Sequence, residues 1–237
     1  CFINGKSCHT RSAEIMEFTG YLPEEISLPE DMTGLAFVRF MAEIKGIKSI
    51  ERAQQVAERF ELDLDERIRK MSRRTRKKVG IVCAFMHDPA VILLDEPMGG
   101  LDALMQGRLN DLILEEKGKG KTILFASHTF EEVERICDRV GMIKKGLMVN
   151  VDDIAGIRAA KKKSYIVSFA TDEDAQRFAR EGFEVISLSG RQITVSLKGE
   201  MMPLVKALGS YQVVGLETVA QSLEDVFIHF YGGDTRV

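Results

Sequence analysis

Apolar positions along this chain recur at two spacings. Residues 91–94 (Val91-Ile92-Leu93-Leu94) form an unbroken, β-branched run, too short for a good helix, and read as a buried parallel strand. Residues 121–126 read as the next apolar strand. Between Leu35 and Lys45 the apolar residues Leu35, Phe37, Val38, Phe40, Met41 and Ile44 fall at helical spacing, and Gly46 supplies a stop. A second amphipathic helix is predicted over 50–60, with Val56, Ala57 and Phe60 on one face. A third spans 72–86, with Ser72 placed to cap it. Helices over 103–116 and 129–137 and strands over 139–143 and 147–150 follow, with Lys144-Lys145-Gly146 as the turn. Residues 1–5 read as a strand and Gly20-Tyr21-Leu22-Pro23 as a short extended piece. Strands alternating with helices predict a layered, mostly parallel α/β sheet.

The pattern changes after the lysine run Lys161-Lys162-Lys163, which reads as a solvated linker. Beyond it come strand 164–170, helix 172–181, strands 183–188 and 191–197 turning at Gly190, helix 199–208, strand 211–217 and helix 222–231. The first six give the βαββαβ order of a ferredoxin-like unit. Two domains are therefore expected, residues 1–158 and 162–237. The second carries no clustered His, Cys or paired acids and reads as an interaction or regulatory module.

Composition narrows the class. At 237 residues with 45% apolar and 29% charged residues, the chain can bury a large core without disulfides. A net charge of −3 gives no global basic field, so nucleic acid is not an expected partner. No apolar run approaches the ~20 residues that span a bilayer. The cysteines Cys1, Cys8, Cys83 and Cys137 form no CxxC pair, and Cys83 and Cys137 fall on apolar helical faces as small hydrophobes. Cys8-His9 lacks a second ligand pair and does not read as a metal site. The chain opens on Cys1 inside a predicted strand, which suggests a piece missing its amino-terminal part.

The chemistry concentrates where the first buried strand ends. Asp95 and Glu96 emerge together there, followed by Pro97 and by Gly99-Gly100-Leu101-Asp102. In open α/β sheets ligands sit at the carboxyl ends of the strands. An Asp there can hold magnesium directly or through water, and an adjacent Glu can polarise a water molecule. His128 stands just past the next strand.

Taken in order, these residues resemble the nucleotide-binding subunit of an ATP-binding cassette (ABC) transporter, from its middle to its end. Gly20-Tyr21-Leu22-Pro23-Glu24 resembles the Q-loop. Ser72 and its helix resemble the signature motif. Ile92 to Pro97 resembles Walker B with its catalytic glutamate, Gly100-Leu101-Asp102 the D-loop, and His128 the switch histidine. The tail Ser222 to Phe227 resembles the end of subunits that serve separate permeases, often exporters. The resemblance implies an α/β, P-loop NTPase-like ATPase domain, incomplete at its amino end, followed by the small α+β domain. It implies ATP and magnesium as cofactors, a membrane permease and a second ATP-binding subunit as partners, and a place in the cytoplasm against the inner face of the membrane. It implies that Asp95 organises magnesium through water and that Glu96 is general base on the attacking water. His128 would contact the γ-phosphate, Asp102 would cross the dimer interface, and Glu24 would reach magnesium or its water and couple nucleotide state to the permease.

Three departures qualify that picture. No Walker A motif is present. Gly5-Lys6-Ser7 lacks the earlier glycine of a P-loop, and 24 − 6 = 18 residues from Lys6 to Glu24 are too few for the helix and strands that must intervene. Asn4-Gly5 reads instead as a polar hairpin turn, and the isolated chain is expected to bind ATP weakly or not at all. The signature reads Ser72-Arg73-Arg74-Thr75 where the family has glycines that let backbone N–H groups approach the phosphate of the opposite subunit. The arginines add bulk, and also charge that can pair with phosphate. With Arg76, Lys77 and Lys78 they form a basic cluster, read as a solvated helix face with some phosphate contact. Finally, Glu24 replaces the usual glutamine, keeping an acceptor oxygen but losing the amide donor. The leading expectation is an ATP-hydrolysing transport subunit; the alternative is a catalytically inactive partner with a degenerate signature.

Overall fold

The computed structural model describes residues 1–156, 163–197 and 200–219. By backbone contact the chain divides into two compact units, Cys1–Cys137 and Asp138–Val237. The linker expected around 158–162 and the helix expected over 222–231 lie outside the described residues.

The first unit is built on three parallel strands in the order β3-β4-β5: β3 (Thr19–Leu22), β4 (Val91–Asp95) and β5 (Thr122–Ala126). β4 is central and buried, with Ile92 and Leu94 in the core, as its unbroken apolar run predicts. Three helices follow β3: α2 (Gly34–Ile44), α3 (Glu51–Arg59) and α4 (Arg73–Phe85). Thr33 caps α2 by accepting from the Ala36 N–H, and Ser72 caps α4 by accepting from the Thr75 N–H. α5 (Ala103–Gly118) and α6 (Phe130–Ile136) follow β4 and β5. The core gathers Leu22, Val38, Phe60, Ile68, Ile81, Phe85, Ile92, Leu109 and Ile113, so the apolar faces read at helical spacing and the buried strand close on one another. A short 3-10 turn, Ile68–Lys70, leads into α4.

The amino terminus corrects the sequence reading. Residues 1–5 are not one strand. β1 (Phe2–Ile3) and β2 (Lys6–Ser7) pair antiparallel, with Asn4 (φ 48°) and Gly5 (φ 72°) as a tight two-residue turn. Positive φ at both positions is the type I′ geometry that Asn-Gly favours. Gly5-Lys6-Ser7 is therefore hairpin, and Lys6 pairs with Glu14. Glu14 lies on α1 (Ser12–Phe18), a helix the hydrophobic pattern does not announce, because Ile15 is its single buried residue.

In the second unit, β6 (Arg139–Lys144) and β7 (Leu147–Asp153) form an antiparallel hairpin rather than extending the parallel sheet. β8 (Lys163–Phe169), β9 (Glu184–Ser189), β10 (Gln192–Leu197) and β11 (Val213–Val219) form an antiparallel sheet ordered β11-β8-β10-β9. With α7 (Asp172–Phe178) and α8 (Met202–Leu208) this is the ferredoxin-like arrangement that the βαββαβ order predicts. Its core is its own: Val167, Phe169, Phe178, Ile193, Val195 and Leu204 are fully or nearly fully buried.

Candidate active site

Strand register brings the site together. Leu22 pairs with Leu94, and Leu94 with Phe125, so three parallel strands end at one level. Glu24, Glu96 and Ser127 each stand two residues beyond that level. The three loops therefore deliver Glu24, Glu96 and the neighbouring His128 to the same end of the sheet, the end where open α/β sheets bind ligands. A cavity of about 400 Å³ opens there, and Glu24, Arg73, Lys77, Glu96, Gly100 and His128 are among the residues that line it.

Glu96 is held firmly. Its N–H donates to the Ala126 carbonyl at 3.0 Å, and its carbonyl accepts from Gly99 N–H at 3.2 Å. Its φ of 41° lies in the left-handed region, which a non-glycine residue adopts at a cost of order 1–3 kcal/mol. Gly100, at φ 79°, completes the tight passage toward Asp102. One carboxylate oxygen of Glu96 accepts from both the backbone N–H and the ring Nδ1 of His128, each at 2.9 Å. A carboxylate only accepts, so Nδ1 carries the proton and Nε2 is the remaining ring nitrogen. The hydrogen bond that Nδ1–H donates to Glu96, and then the charge of that carboxylate, raise the His128 pKa above the ordinary histidine value. The side chain is 86% exposed, so the protonated ring can turn its Nε2–H to an incoming anion.

Asp95 ends β4 beside Glu96. Glu24, Asp95 and Glu96 offer hard oxygen donors at one end of the sheet. Among the described residues no group of three His, Cys, Asp or Glu side chains closes on a metal by itself. Carboxylate oxygens are the donor type that magnesium takes, one or two at a time, with water and substrate phosphate completing its shell.

The signature-like segment divides its two arginines. Arg73 lines the cavity. Arg74 turns away to its own chain, donating to Asp102 at 3.1 Å and to the Gly100 carbonyl at 3.3 Å. Asp102 also caps α5, accepting from the Met105 N–H at 3.0 Å, and that backbone bond is the chief reason its pKa is lowered. The Asp102 carboxylate thus holds Arg74, while Arg73 faces the cavity. Arg76 pairs with Glu30 at 3.2 Å. Lys77 is buried, not part of a solvated face as the basic run suggests. The missed signal was its spacing, since Lys77 sits three and four residues before Gly80 and Ile81 on the buried side of α4.

The family profile described as "ABC transporter" matches residues 2–99. An uncharacterized ABC transporter ATP-binding protein of Methanocaldococcus jannaschii, MJ1023, is 34% identical over 67% of this chain and 62% of its own length. A second, sll0415 of Synechocystis, is 30% identical over 88% of this chain and 61% of its own length. The chain thus spans about three fifths of these relatives. A solved ATP-binding subunit of an ABC transporter superposes with a TM-score of 0.62 at 29% identity, over 67% of this chain and 68% of that one. The ordered motifs, the strand ends that carry them and these likenesses agree: the chain contains a domain of the ABC transporter ATP-binding family.

Proposed function

We propose that this chain is the ATP-binding and ATP-hydrolysing part of a transporter subunit that powers a separate membrane permease, most simply an exporter. The observation that carries the reading is the Glu96–His128 pair at the common end of β3, β4 and β5. A carboxylate whose one oxygen is fixed by two N–H groups presents the other in a set direction, as a general base requires. His128 supplies a donor for the γ-phosphate once protonated. Asp95 and Glu24 would hold magnesium, largely through water; the ion would neutralise charge developing on the phosphate oxygens. Asp102 would reach a second ATP-binding subunit. A subunit of this kind would meet the bilayer through its permease, at the inner face; no helix among the described residues is long and apolar enough to cross a membrane.

The test is Glu96→Gln in the protein that carries this chain. ATP turnover should fall ~10²-fold or more, as for loss of a general base, with nucleotide binding retained. Unchanged turnover would sink the assignment.

A second reading has its own observation. The Arg74–Asp102 pair ties the signature-like segment to the D-loop-like segment of the same chain, and Arg73 stands in the cavity where the family has glycine. A catalytically inactive partner, dimerising with a different active subunit, would carry such a signature. Replacing Arg73 and Arg74 by Gly should raise turnover if bulk obstructs the phosphate. A fall would mean that the arginines pair with it.

A further inference from the structure

α4 and β3 meet along a seam with no spare room. A Cβ on Gly20 would lie 2.1 Å from the Ala84 carbonyl oxygen. A Cβ on Gly80 would lie 2.2 Å from Ile26 Cδ1 and 3.0 Å from Leu22 Cδ1. The helix is therefore pressed both onto the strand and onto the segment that leaves it. One helical turn before Gly80, Lys77 is only 5% exposed. Its ammonium donates to the carbonyls of Glu24 at 3.0 Å and Pro23 at 3.2 Å. Those carbonyls belong to the stretch that carries the Glu24 side chain to the cavity. Burial lowers the Lys77 pKa; the charges of Asp95, Glu24 and Glu96 act in the other direction, and Arg73 reinforces the lowering. Burying an ammonium is costly unless it is hydrogen-bonded and paired. A methionine would fill the same space and leave the two carbonyls without their ammonium donor.

We infer that Lys77 is a positioning residue that fixes the Pro23–Glu24 segment to the start of α4 and sets its ammonium among the acids Glu24, Asp95 and Glu96. The signature-like start of α4 and Glu24 then move as one piece. A displacement of Ser72 and Arg73 along the helix would be passed to Glu24 through the ammonium and through Ile26 against Gly80. The cation also lessens repulsion among three carboxylates gathered at one sheet end. The catalytic consequence rests on the proposed ATPase reading; the positioning itself does not.

Amide hydrogen exchange on the 237-residue chain tests the positioning. In Lys77→Met, the amides of Glu24, Glu25 and Ile26 should exchange at least about tenfold faster, the scale expected for losing a charged hydrogen-bond donor. Those of β4 should be unchanged, and Lys77→Arg should recover part of the protection. Unchanged exchange at 24–26 would overturn the inference. So would equal acceleration throughout the unit, which would make Lys77 a general stabiliser. If Lys77→Met fails to fold, Lys77→Gln is read against the same outcomes. In the protein that carries this chain, Lys77→Met and Glu24→Ala should then lower ATP turnover non-additively, because one acts through the other. Additive losses would break the link to Glu24. Absent turnover in the unmutated protein, or turnover indifferent to Glu96→Gln, would sink the ATPase reading and leave the exchange result to stand on its own.

Discussion

Two histidines in this chain are driven in opposite directions by their surroundings. Glu96 raises the pKa of His128 by accepting from its Nδ1. Glu96→Gln removes the carboxylate, so the His128 pKa should fall back toward the ordinary value, as read from its ring resonances in an NMR titration. No change would mean that the pair does not form in solution. His87 is pushed down to about 4, first by burial and next by Lys45. Lys45 also donates to the carbonyls of Met16 and Thr19, so that corner already holds a cation. A histidine with a lowered folded pKa leaves the unfolded chain as the better proton acceptor. Its linkage therefore removes stability as pH falls from the unfolded value near 6.5 toward 4, and nothing further below that. Glu116, lowered to about 2 beside Lys119, Lys121 and Arg52, loses its contribution in a lower window, from about 4.5 downward. Melting temperatures of His87→Gln and the parent should thus converge or cross between pH 6.5 and 4. A parent whose melting temperature is flat across that interval, matching the variant, would contradict the burial of His87.

At the scale of elements, the packing of α4 on β3 is the tightest constraint near the site. Gly20→Ala drives a methyl to 2.1 Å from a backbone carbonyl oxygen and 2.9 Å from the rigid Pro89 ring, so it should cost about 2–3 kcal/mol, the overpacking range. Gly80→Ala meets the flexible end of Ile26 and should cost less. Urea melts give both values, and a Gly20→Ala variant as stable as its parent would show that α4 and β3 sit farther apart. The same comparison shows how elements were legible. β4 could be read from four apolar residues because a strand covered on both sides needs them. α1 could not, because one buried isoleucine leaves no periodic face. The buried Lys77 was hidden by its neighbours: Arg73, Arg74, Arg76 and Lys78 share its charge, and charge alone does not say which member of the run faces inward.

For the whole molecule, the division into two units predicts independent behaviour. The ferredoxin-like sheet closes on Val167, Phe178, Ile193 and Leu204, all within its own stretch of chain. Residues 162–237 expressed alone should therefore melt cooperatively. A broad, non-cooperative transition would show that this piece needs residues outside it.

The sequence by itself determined the order of strands and helices from β3 onward, the cap at Ser72, and the presence of two acids and a histidine just past apolar strands. Those features are local, written in spacing and residue type within a few positions of one another. Tertiary structure alone decided which of the residues meet. Glu24, Glu96 and His128 are far apart along the chain, and only the in-register pairing of β3, β4 and β5 brings their loops to one level. The fate of the arginines was likewise nonlocal, since Arg74 turns from the cavity because Asp102, 28 residues away, caps α5 beside it. Lys77 faces inward with Gly80 and Ile81; their spacing marks that side of α4, but only the packing of Gly80 against Ile26 decides that it is the buried one.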